Sequence, residues 1–265
     1  MHIKPKKKLG QNFLFDKNIQ AKIISACNFS DTDTVLEIGP GTGAFTVLIA
    51  KSVKKIIAVE FDKNLAAKLK EELADCQNLT LIEGDILDFD FKRYFPDSRT
   101  RIKIFGNIPY YITTPIFECL LENTDKISEV YLTVQKEFAR RIVACEGSKE
   151  YGSLSCFVQY YSRPQILFDI KRTSFYPVPK VDSSFIKIVP SRRGNLSRGQ
   201  EELLFKIIRT AFQQRRKILI NSIERIVSHQ LTKEFLSSKE ISQKSRPENI
   251  SLDTYLEFAK FLKNN

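Results

Sequence analysis

The tetrapeptide Asn107-Ile108-Pro109-Tyr110 could hold and stack a planar aromatic amine. An asparagine side-chain oxygen accepts one hydrogen bond. The carbonyl of Ile108 accepts a second from a fixed position, because Pro109 restricts its own φ and the residue before it. Two converging acceptors suit an exocyclic NH2 group, and the Tyr110 ring can stack on the base that carries it. The tetrapeptide therefore predicts a pocket for a flipped-out base, although a plain turn also explains these residues.

The flanking residues place this tetrapeptide at the end of a strand. An apolar run at 101–105 predicts a strand, and Thr113-Thr114-Pro115 predicts a helix start, with a hydroxyl cap and Pro at the first helical position. Asn107 to Tyr110 should then form a loop at the carboxyl end of a strand, where open α/β sheets bind ligands.

Three upstream strands are predicted to end in residues suited to a nucleoside. The first leads into a turn with Gly39 and Gly41, a pattern shared by nicotinamide and other nucleoside cofactors. Glu60 ends the second strand and suits ribose hydroxyls, while Asp85 follows the third and can accept from an adenine amine. Each acid alone is more typical of a solvated loop. Together the three tips share one edge of a parallel sheet.

The remaining patterns divide the chain into two predicted domains. Asp16 is expected to cap a helix that runs to about Cys27, and 151–160 and 165–170 are interpreted as strands. Apolar stripes at helical spacing follow a Pro/Ser/Arg/Gly-rich stretch. The predicted architecture is a Rossmann-like α/β sheet over 1–190, a linker at 191–199 and an all-helical domain at 200–265.

The composition favours an anionic partner. Forty-two Lys and Arg against 31 Asp and Glu give a net charge of +11, which suits nucleic acid or a membrane surface but is also found in ordinary basic proteins. The N-terminal arm with Lys4, Lys6, Lys7 and Lys8 could lie along a phosphate backbone.

Cysteine and histidine usage argues against a metal centre. The five cysteines form no C-x-x-C pair and there are two histidines, so we expect no metal site and a reducing compartment. With no apolar run long enough to span a bilayer, we expect a cytoplasmic protein that does not bind a membrane. We also expect a monomer.

The assembled motifs resemble the KsgA family of small-subunit rRNA adenine dimethyltransferases, which use S-adenosylmethionine. The similarity extends over nearly the whole chain. The two most specific pieces are Gln11-Asn12-Phe13-Leu14 and Pro179-Lys180-Val181-Asp182-Ser183. The other matching pieces are 36–43, 59–62, 83–85, 106–110, 134–137, 151–155 and 215–217.

The resemblance implies a class I methyltransferase fold, S-adenosylmethionine as cofactor and four methyl transfers to N6 of two adjacent adenosines. These adenosines lie in the 3′-terminal hairpin of small-subunit (16S) rRNA, and the partner would be the immature 30S subunit. The implied cofactor residues are Asn12, Leu14, Gly39, Gly41, Glu60, Phe61, Asp85, Ile86 and Asn107. The implied catalytic residues are Asn107, Ile108, Pro109 and Tyr110. The expected substrate contacts are Tyr110, Phe175, Tyr176, Lys180, Arg215, Arg216 and Lys217.

Four other functions compete with this one. A dehydrogenase would explain the glycines and Glu60 but not the tetrapeptide or the basic tail. A non-catalytic ribosome-assembly factor could share the fold, although Asn107 and Asp85 argue against lost catalysis. Resistance-type methyltransferases of large-subunit rRNA share Asn-Ile-Pro-Tyr, and adenine methylation of DNA is disfavoured only by the resemblance.

Overall fold

The computed structural model of the chain describes residues 5–6, 9–97 and 99–264. These residues form two compact units. The first contains the described residues up to Ala139 together with Pro164–Pro190, and the second contains Arg140–Arg163 and the described residues from Ser191 onward. Lys4, Lys7 and Lys8, which belong to the predicted phosphate-binding arm, lie outside the described residues.

A seven-stranded sheet is the centre of the first unit. Its central strands are runs of Ile, Val, Leu and Phe buried on both faces, as expected for parallel strands covered on each side. The strand order is β4-β3-β2-β5-β6-β9-β7, with β9 antiparallel to β6. The strands are β2 Thr34–Ile38, β3 Lys55–Glu60, β4 Leu79–Glu83, β5 Ile102–Asn107, β6 Ile127–Gln135, β7 Ser162–Ile170 and β9 Ser183–Pro190. A separate pair joins β1 Phe13–Leu14 to β8 Phe175–Tyr176 in antiparallel register.

Helices lie between the parallel strands and on either side of this series along the chain. Asp16 and Asp62 cap the first and third of them through their carboxylates, which accept backbone N–H groups of the first turn. The helices are α1 Lys17–Ala26, α2 Ala44–Ala50, α3 Lys63–Glu72, α4 Phe91–Tyr94, α5 Thr113–Glu122 and α6 Lys136–Val143.

The strand order reverses between β2 and β5. Here β2 lies parallel to β5, with Ile38 opposite Gly106, while the chain continues outward through β3 on one side and β6 on the other. Ligands of open α/β sheets bind at such a switch point, outside the carboxyl ends of the strands. The fold therefore places the Gly39 turn and Asn107 on the two sides of a natural binding crevice.

The second unit is helical around its own apolar core. Tyr255, Phe258, Leu204 and Ile207 are essentially without solvent exposure there. Its helices are α7 Ser153–Tyr161, α8 Arg198–Gln213, α9 Leu219–Ser222, α10 His229–Ser238 and α11 Leu252–Asn264.

Several sequence predictions need correction. The strand predicted at 151–160 is wrong, because Ser153–Tyr161 is a helix that buries Cys156 and Tyr160. The chain also divides differently from the prediction, since 140–163 belongs to the helical unit. Leu196, in the predicted linker, is buried in the core of that unit. Finally, Pro115 lies at the third position of α5, not the first.

Candidate active site

A cavity of about 330 Å³ opens at the switch point of the sheet. It is lined by the ends of β2, β3 and β5, by the arm residues Leu9–Leu14 and by the loop Asn107–Ile112. Apart from the arm, these elements meet there because parallel strands bring their carboxyl ends to one edge.

The glycine turn after β2 forms one wall of the cavity. Gly39 and Gly41 both have positive φ, +66° and +61°, a conformation that L side chains rarely adopt. A Cβ at Gly41 would also lie 3.0 Å from the Phe13 ring. At Gly39 and Gly41 the backbone therefore faces the cavity without a side chain. This allows a cofactor to lie close to the turn.

Glu60 connects the tips of two strands. One carboxylate oxygen accepts the Gly41 N–H at 2.9 Å and the other accepts the Asp62 N–H at 2.8 Å. The residue is 5% exposed, and burial raises the pKa of the carboxyl despite these hydrogen bonds. Each oxygen keeps a second lone pair, so Glu60 can still accept from a hydroxyl in the cavity.

The wall beyond β4 contains Asp85, Ile86 and Phe61. One Asp85 oxygen accepts the Leu87 N–H at 2.9 Å and fixes the 3-10 turn that follows. Ile86 is buried, whereas Phe61 is 57% exposed at the rim. A carboxylate next to two apolar side chains suits a flat base with an exocyclic amine.

The arm covers the cavity and reaches the loop Asn107–Ile112. Asn12 donates its side-chain amide to the Gly10 carbonyl, and the Asn12 carbonyl accepts from the Asn107 side chain. Leu14 is buried and lies in β1, opposite Phe175 of β8.

A charged clasp fastens the arm to the start of α3. Lys6 Nζ lies 2.7 Å from Asp62 Oδ1, and the Gln11 side chain donates to Oδ2 at 3.2 Å. Burial alone would raise the pKa of Asp62, but the hydrogen bonds from Lys6, Gln11 and the Asn64 N–H outweigh it and lower the pKa overall. The sequence pattern did not indicate these contacts, because nothing in it pairs Asp62 with residues 51 to 56 positions away.

Asn107 presents an oriented side-chain amide to the cavity. Its nitrogen donates to the Asn12 carbonyl at 3.0 Å, which distinguishes the two ends of the amide and leaves Oδ1 as the available acceptor. Ile108 follows with its side chain 2% exposed. Among the described residues, neither Asn107 Oδ1 nor the Ile108 carbonyl accepts a hydrogen bond. The two predicted acceptors are thus neighbours at the cavity and both are free.

Tyr110 is held from behind. Its hydroxyl lies 2.6 Å from Ser183 Oγ in β9, and Ser183 is fully buried. Burial raises the pKa of Tyr110, so the phenol stays neutral. The ring lines the cavity next to Pro109. Sequence reasoning missed Ser183 as a partner, since only the folded sheet brings it to Tyr110.

Glu37 is a second buried acid on the cavity wall. It is 2% exposed, and its Oε2 has no hydrogen-bond partner among the described residues. Burial raises the pKa of Glu37 to about 8, and the nearby charge of Glu60 adds to the effect. A polar group of a ligand bound in the cavity would provide the missing hydrogen-bond partner of Glu37 Oε2.

The predicted substrate residues of the first unit differ in exposure. Phe175 is fully buried and packs in the core, so the prediction that its ring contacts the base is wrong. Tyr176 is 62% exposed and Lys180 is also exposed. The substrate contacts predicted for these two stay sterically possible.

The three basic residues predicted to contact substrate in the second unit also differ in their surroundings. Arg215 forms an ion pair with Glu248 at 3.0 Å and donates to the Ser148 carbonyl, so it ties segments of its own unit together. Arg216 and Lys217 are exposed. A phosphate contact is therefore better assigned to these two than to Arg215.

Two features are absent from the described ranges. No group of three or more His, Cys, Asp or Glu side chains in them is arranged to hold a metal ion. Across the same residues, every helix is too short or too polar to cross a bilayer.

Known proteins similar to the chain share this architecture. The family model described as ribosomal RNA adenine dimethylase matches residues 2–264. The small-subunit rRNA methyltransferase A of Fusobacterium nucleatum subsp. nucleatum is 43% identical, with 98% of each chain covered. A dimethyladenosine transferase structure from Plasmodium falciparum aligns with a TM-score of 0.78 and 25% identity, over 95% of this chain and 98% of the other. The 23S rRNA methyltransferase ErmE, at 23% identity and a TM-score of 0.73 over 95% and 99%, supports the fold alone.

The sheet, its glycine turn and the cavity define a class I methyltransferase that uses S-adenosylmethionine. The free buried Glu37 oxygen and the backbone-lined turn fit such a cofactor. The chain belongs to the ribosomal RNA adenine dimethylase family. It is an rRNA adenine dimethyltransferase, and its macromolecular partner is ribosomal RNA.

Proposed function

We propose that the protein dimethylates N6 of two adjacent adenosines in the 3′-terminal hairpin of 16S rRNA. The near full-length similarity to small-subunit methyltransferase A relatives supports this target. The observation that carries the proposal is the Asn107 amide, whose nitrogen is occupied by the Asn12 carbonyl while its oxygen remains free at the cavity.

The proposed chemistry begins with the poor nucleophilicity of an adenine amine, whose lone pair is delocalised into the ring. Asn107 Oδ1 and the Ile108 carbonyl accept the two amine hydrogens and draw them out of the ring plane. The lone pair then localises on N6 and points toward the cofactor, which supplies an electrophilic sulfonium methyl group. Orientation and fixed dipoles of this kind each contribute several kcal/mol in favourable cases.

Tyr110 holds the base during this step. Its ring stacks on the adenine, an interaction of about 1–3 kcal/mol, while Ser183 holds its hydroxyl on the far side. This reaction requires no dedicated general base, because the methylated aminium is acidic enough to lose its proton to water.

Two acceptors also account for two rounds of transfer. A monomethyl amine keeps one hydrogen for either acceptor, so it can bind again. The dimethyl product keeps none and leaves both acceptors unpaired, which disfavours its retention. The dimethylated base should therefore bind more weakly than the substrate.

We further propose that the enzyme acts as a monomer in the cytoplasm on immature 30S subunits. Its net charge of +11 favours association with RNA. Exposed cations on both units, among them Lys180 in the first and Arg216 in the second, supply phosphate contacts.

The test is to incubate the protein with methyl-labelled S-adenosylmethionine and small subunits that lack the modification, and then to map the labelled nucleotides. We expect two adjacent N6,N6-dimethyladenosines in the 3′-terminal hairpin of 16S rRNA. Label confined to large-subunit rRNA or to another small-subunit site would contradict the proposed target. Parallel reactions with large subunits and with DNA separate the competing substrates.

A further inference from the structure

Tyr111 is an aromatic side chain that the proposed chemistry does not use. It lines the same cavity as Asn107 and Tyr110, yet 60% of it is exposed to solvent. No described residue forms a hydrogen bond with its hydroxyl. A large exposed ring at the rim of a binding cavity is a feature of interaction sites.

The backbone of Tyr111 is fixed although its side chain is exposed. It lies in the 3-10 turn Tyr110–Ile112, where the Ile112 N–H donates to the Pro109 carbonyl at 3.3 Å. The Thr113 hydroxyl donates to the same carbonyl at 3.4 Å. The ring therefore projects from a rigid turn directly attached to the catalytic loop.

The side chains of the two adjacent tyrosines point in different directions. Successive side chains of a 3-10 turn point about 120° apart. Tyr110 is directed inward, where its hydroxyl meets Ser183, whereas Tyr111 is directed to solvent. Two rings arranged in this way cannot clasp one base between them, so a base that stacks on Tyr111 is not the base that stacks on Tyr110.

The arm limits where the Tyr111 ring can lie. A Cβ placed on Gly10 would lie 3.1 Å from Tyr111 Cδ1, 3.3 Å from Cε1 and 3.6 Å from Pro109 Cβ. One edge of the ring thus rests against an arm residue that has no side chain. Since 60% of the residue is nevertheless exposed, much of the side chain stays accessible to a base.

We propose that Tyr111 stacks on the base of the nucleotide next to the target adenosine. A target that leaves its stack exposes its neighbour, and unpaired bases bind aromatic side chains largely independently of sequence. The net charge of +11 favours a polyanion such as RNA over a neutral apolar partner. If the two target adenosines are adjacent, as the proposed function holds, Tyr111 carries one of them while Tyr110 holds the other.

The inference is tested with Tyr111→Phe, Tyr111→Leu and Tyr111→Ala on small subunits that lack the modification. Loss of one base–aromatic stack should raise KM for the RNA by about fivefold to a hundredfold in the Leu and Ala variants. The Phe variant should stay within about threefold of wild type, since it keeps the ring. Affinity for S-adenosylmethionine, measured by calorimetry, should not change in any of them.

Three results would overturn the inference. The first is a wild-type KM for Tyr111→Ala. The second is a Leu variant that behaves like the Phe variant, which would indicate an apolar or protein contact. The third is loss of cofactor affinity, which would indicate a structural role. If the wild type methylates a different rRNA adenine, the proposed target fails, but the same series on that RNA still decides the role of Tyr111.

Discussion

At the scale of single residues, the chemistry depends on which end of one amide faces the cavity. Asn107 could present either an acceptor or a donor, and the Asn12 carbonyl selects the acceptor by occupying the nitrogen. The sequence predicted Asn107, Ile108 and Tyr110 from their types and spacing. It did not predict the role of the Asn12 carbonyl, because a backbone group leaves no signal in a side-chain pattern.

The Tyr110–Ser183 contact gives a first prediction. Tyr110→Phe keeps the stacking ring, so kcat/KM should fall only about three- to tenfold, the effect of one neutral hydrogen bond. Ser183→Ala should have a similar effect, because it leaves the phenol unpaired. The double variant should be no worse than either single one, measured as a double-mutant cycle in kcat/KM. Strictly additive losses would show that the two groups act independently.

Glu37 gives a prediction about pH. The pKa of Glu37 is raised from 4.5 to about 8 in the folded protein, so its contribution to stability is complete below pH 4.5 and is lost as pH rises through 8. At about 1.4 kcal/mol per pH unit, the free energy of unfolding should fall by about 2–3 kcal/mol between pH 6 and 8 from this group.

Urea unfolding of the cofactor-free protein at the two pH values measures this effect. Glu37→Gln should remove most of the decline, because an amide does not titrate. The exposed Glu71→Gln serves as a matched control and should retain it. An equal decline in wild type and Glu37→Gln would refute the assignment.

At the scale of elements, the arm is the part that sequence patterns described least. The specific Gln11-Asn12-Phe13-Leu14 piece indicated that it packs against something. The fold shows that β1 pairs with β8 and that Lys6 and Gln11 bind Asp62. These contacts join residues far apart in the chain, so local periodicity could not reveal them.

The clasp gives an element-scale prediction. Asp62→Asn keeps an oxygen for the Asn64 N–H and so preserves the cap of α3, but it loses the charge that binds Lys6. The arm should then cover the cavity less firmly, and the Kd for S-adenosylmethionine should rise roughly tenfold.

Calorimetric titration with the cofactor provides the measurement. A suitable control is Lys63→Met, which removes the neighbouring exposed pair between Lys63 and Glu83 at 3.5 Å. That pair is solvated, so the control should bind the cofactor as wild type does. A clasp variant with unchanged Kd would mean that the arm does not contribute to cofactor binding.

Element types were predictable where one physical signal dominated. The parallel strands were predicted from apolar runs, and the strand predicted to end at Glu60 does end there. The segment Ser153–Tyr161 was misread because its Phe, Val and Tyr favour strands, whereas packing around Cys156 and Tyr160 decides for a helix. Helix α10 was missed because His229–Ser238 buries a narrow face, chiefly Phe235 and Leu236.

At the scale of the whole molecule, the positive charge has two separate uses. Some cations are paired within the fold, such as the half-buried Arg215 with Glu248. Others, including Arg216 and Lys217, are exposed. Composition fixed the net charge of +11, but only the folded unit shows which cations are free for phosphate.

The salt dependence of RNA binding separates these uses. Replacing Arg216 and Lys217 by Met should reduce the slope of log K against log salt by about 1 to 2, since each phosphate contact contributes about 0.7–0.9. Arg215→Met should lower the free energy of unfolding by about 0.5–1 kcal/mol and change the slope less. RNA titrations between 50 and 300 mM KCl test this, and equal slopes for wild type and the double variant would contradict it.

The most direct test of the central claim is single-turnover methyl transfer by Asn107→Ala at saturating S-adenosylmethionine. We expect the rate to fall by about 10² to 10³, while the Kd for the cofactor rises less than tenfold and the control variant Asn18→Ala, at an exposed position, keeps both values. A rate near wild type in Asn107→Ala would show that its oxygen does not activate the adenine amine.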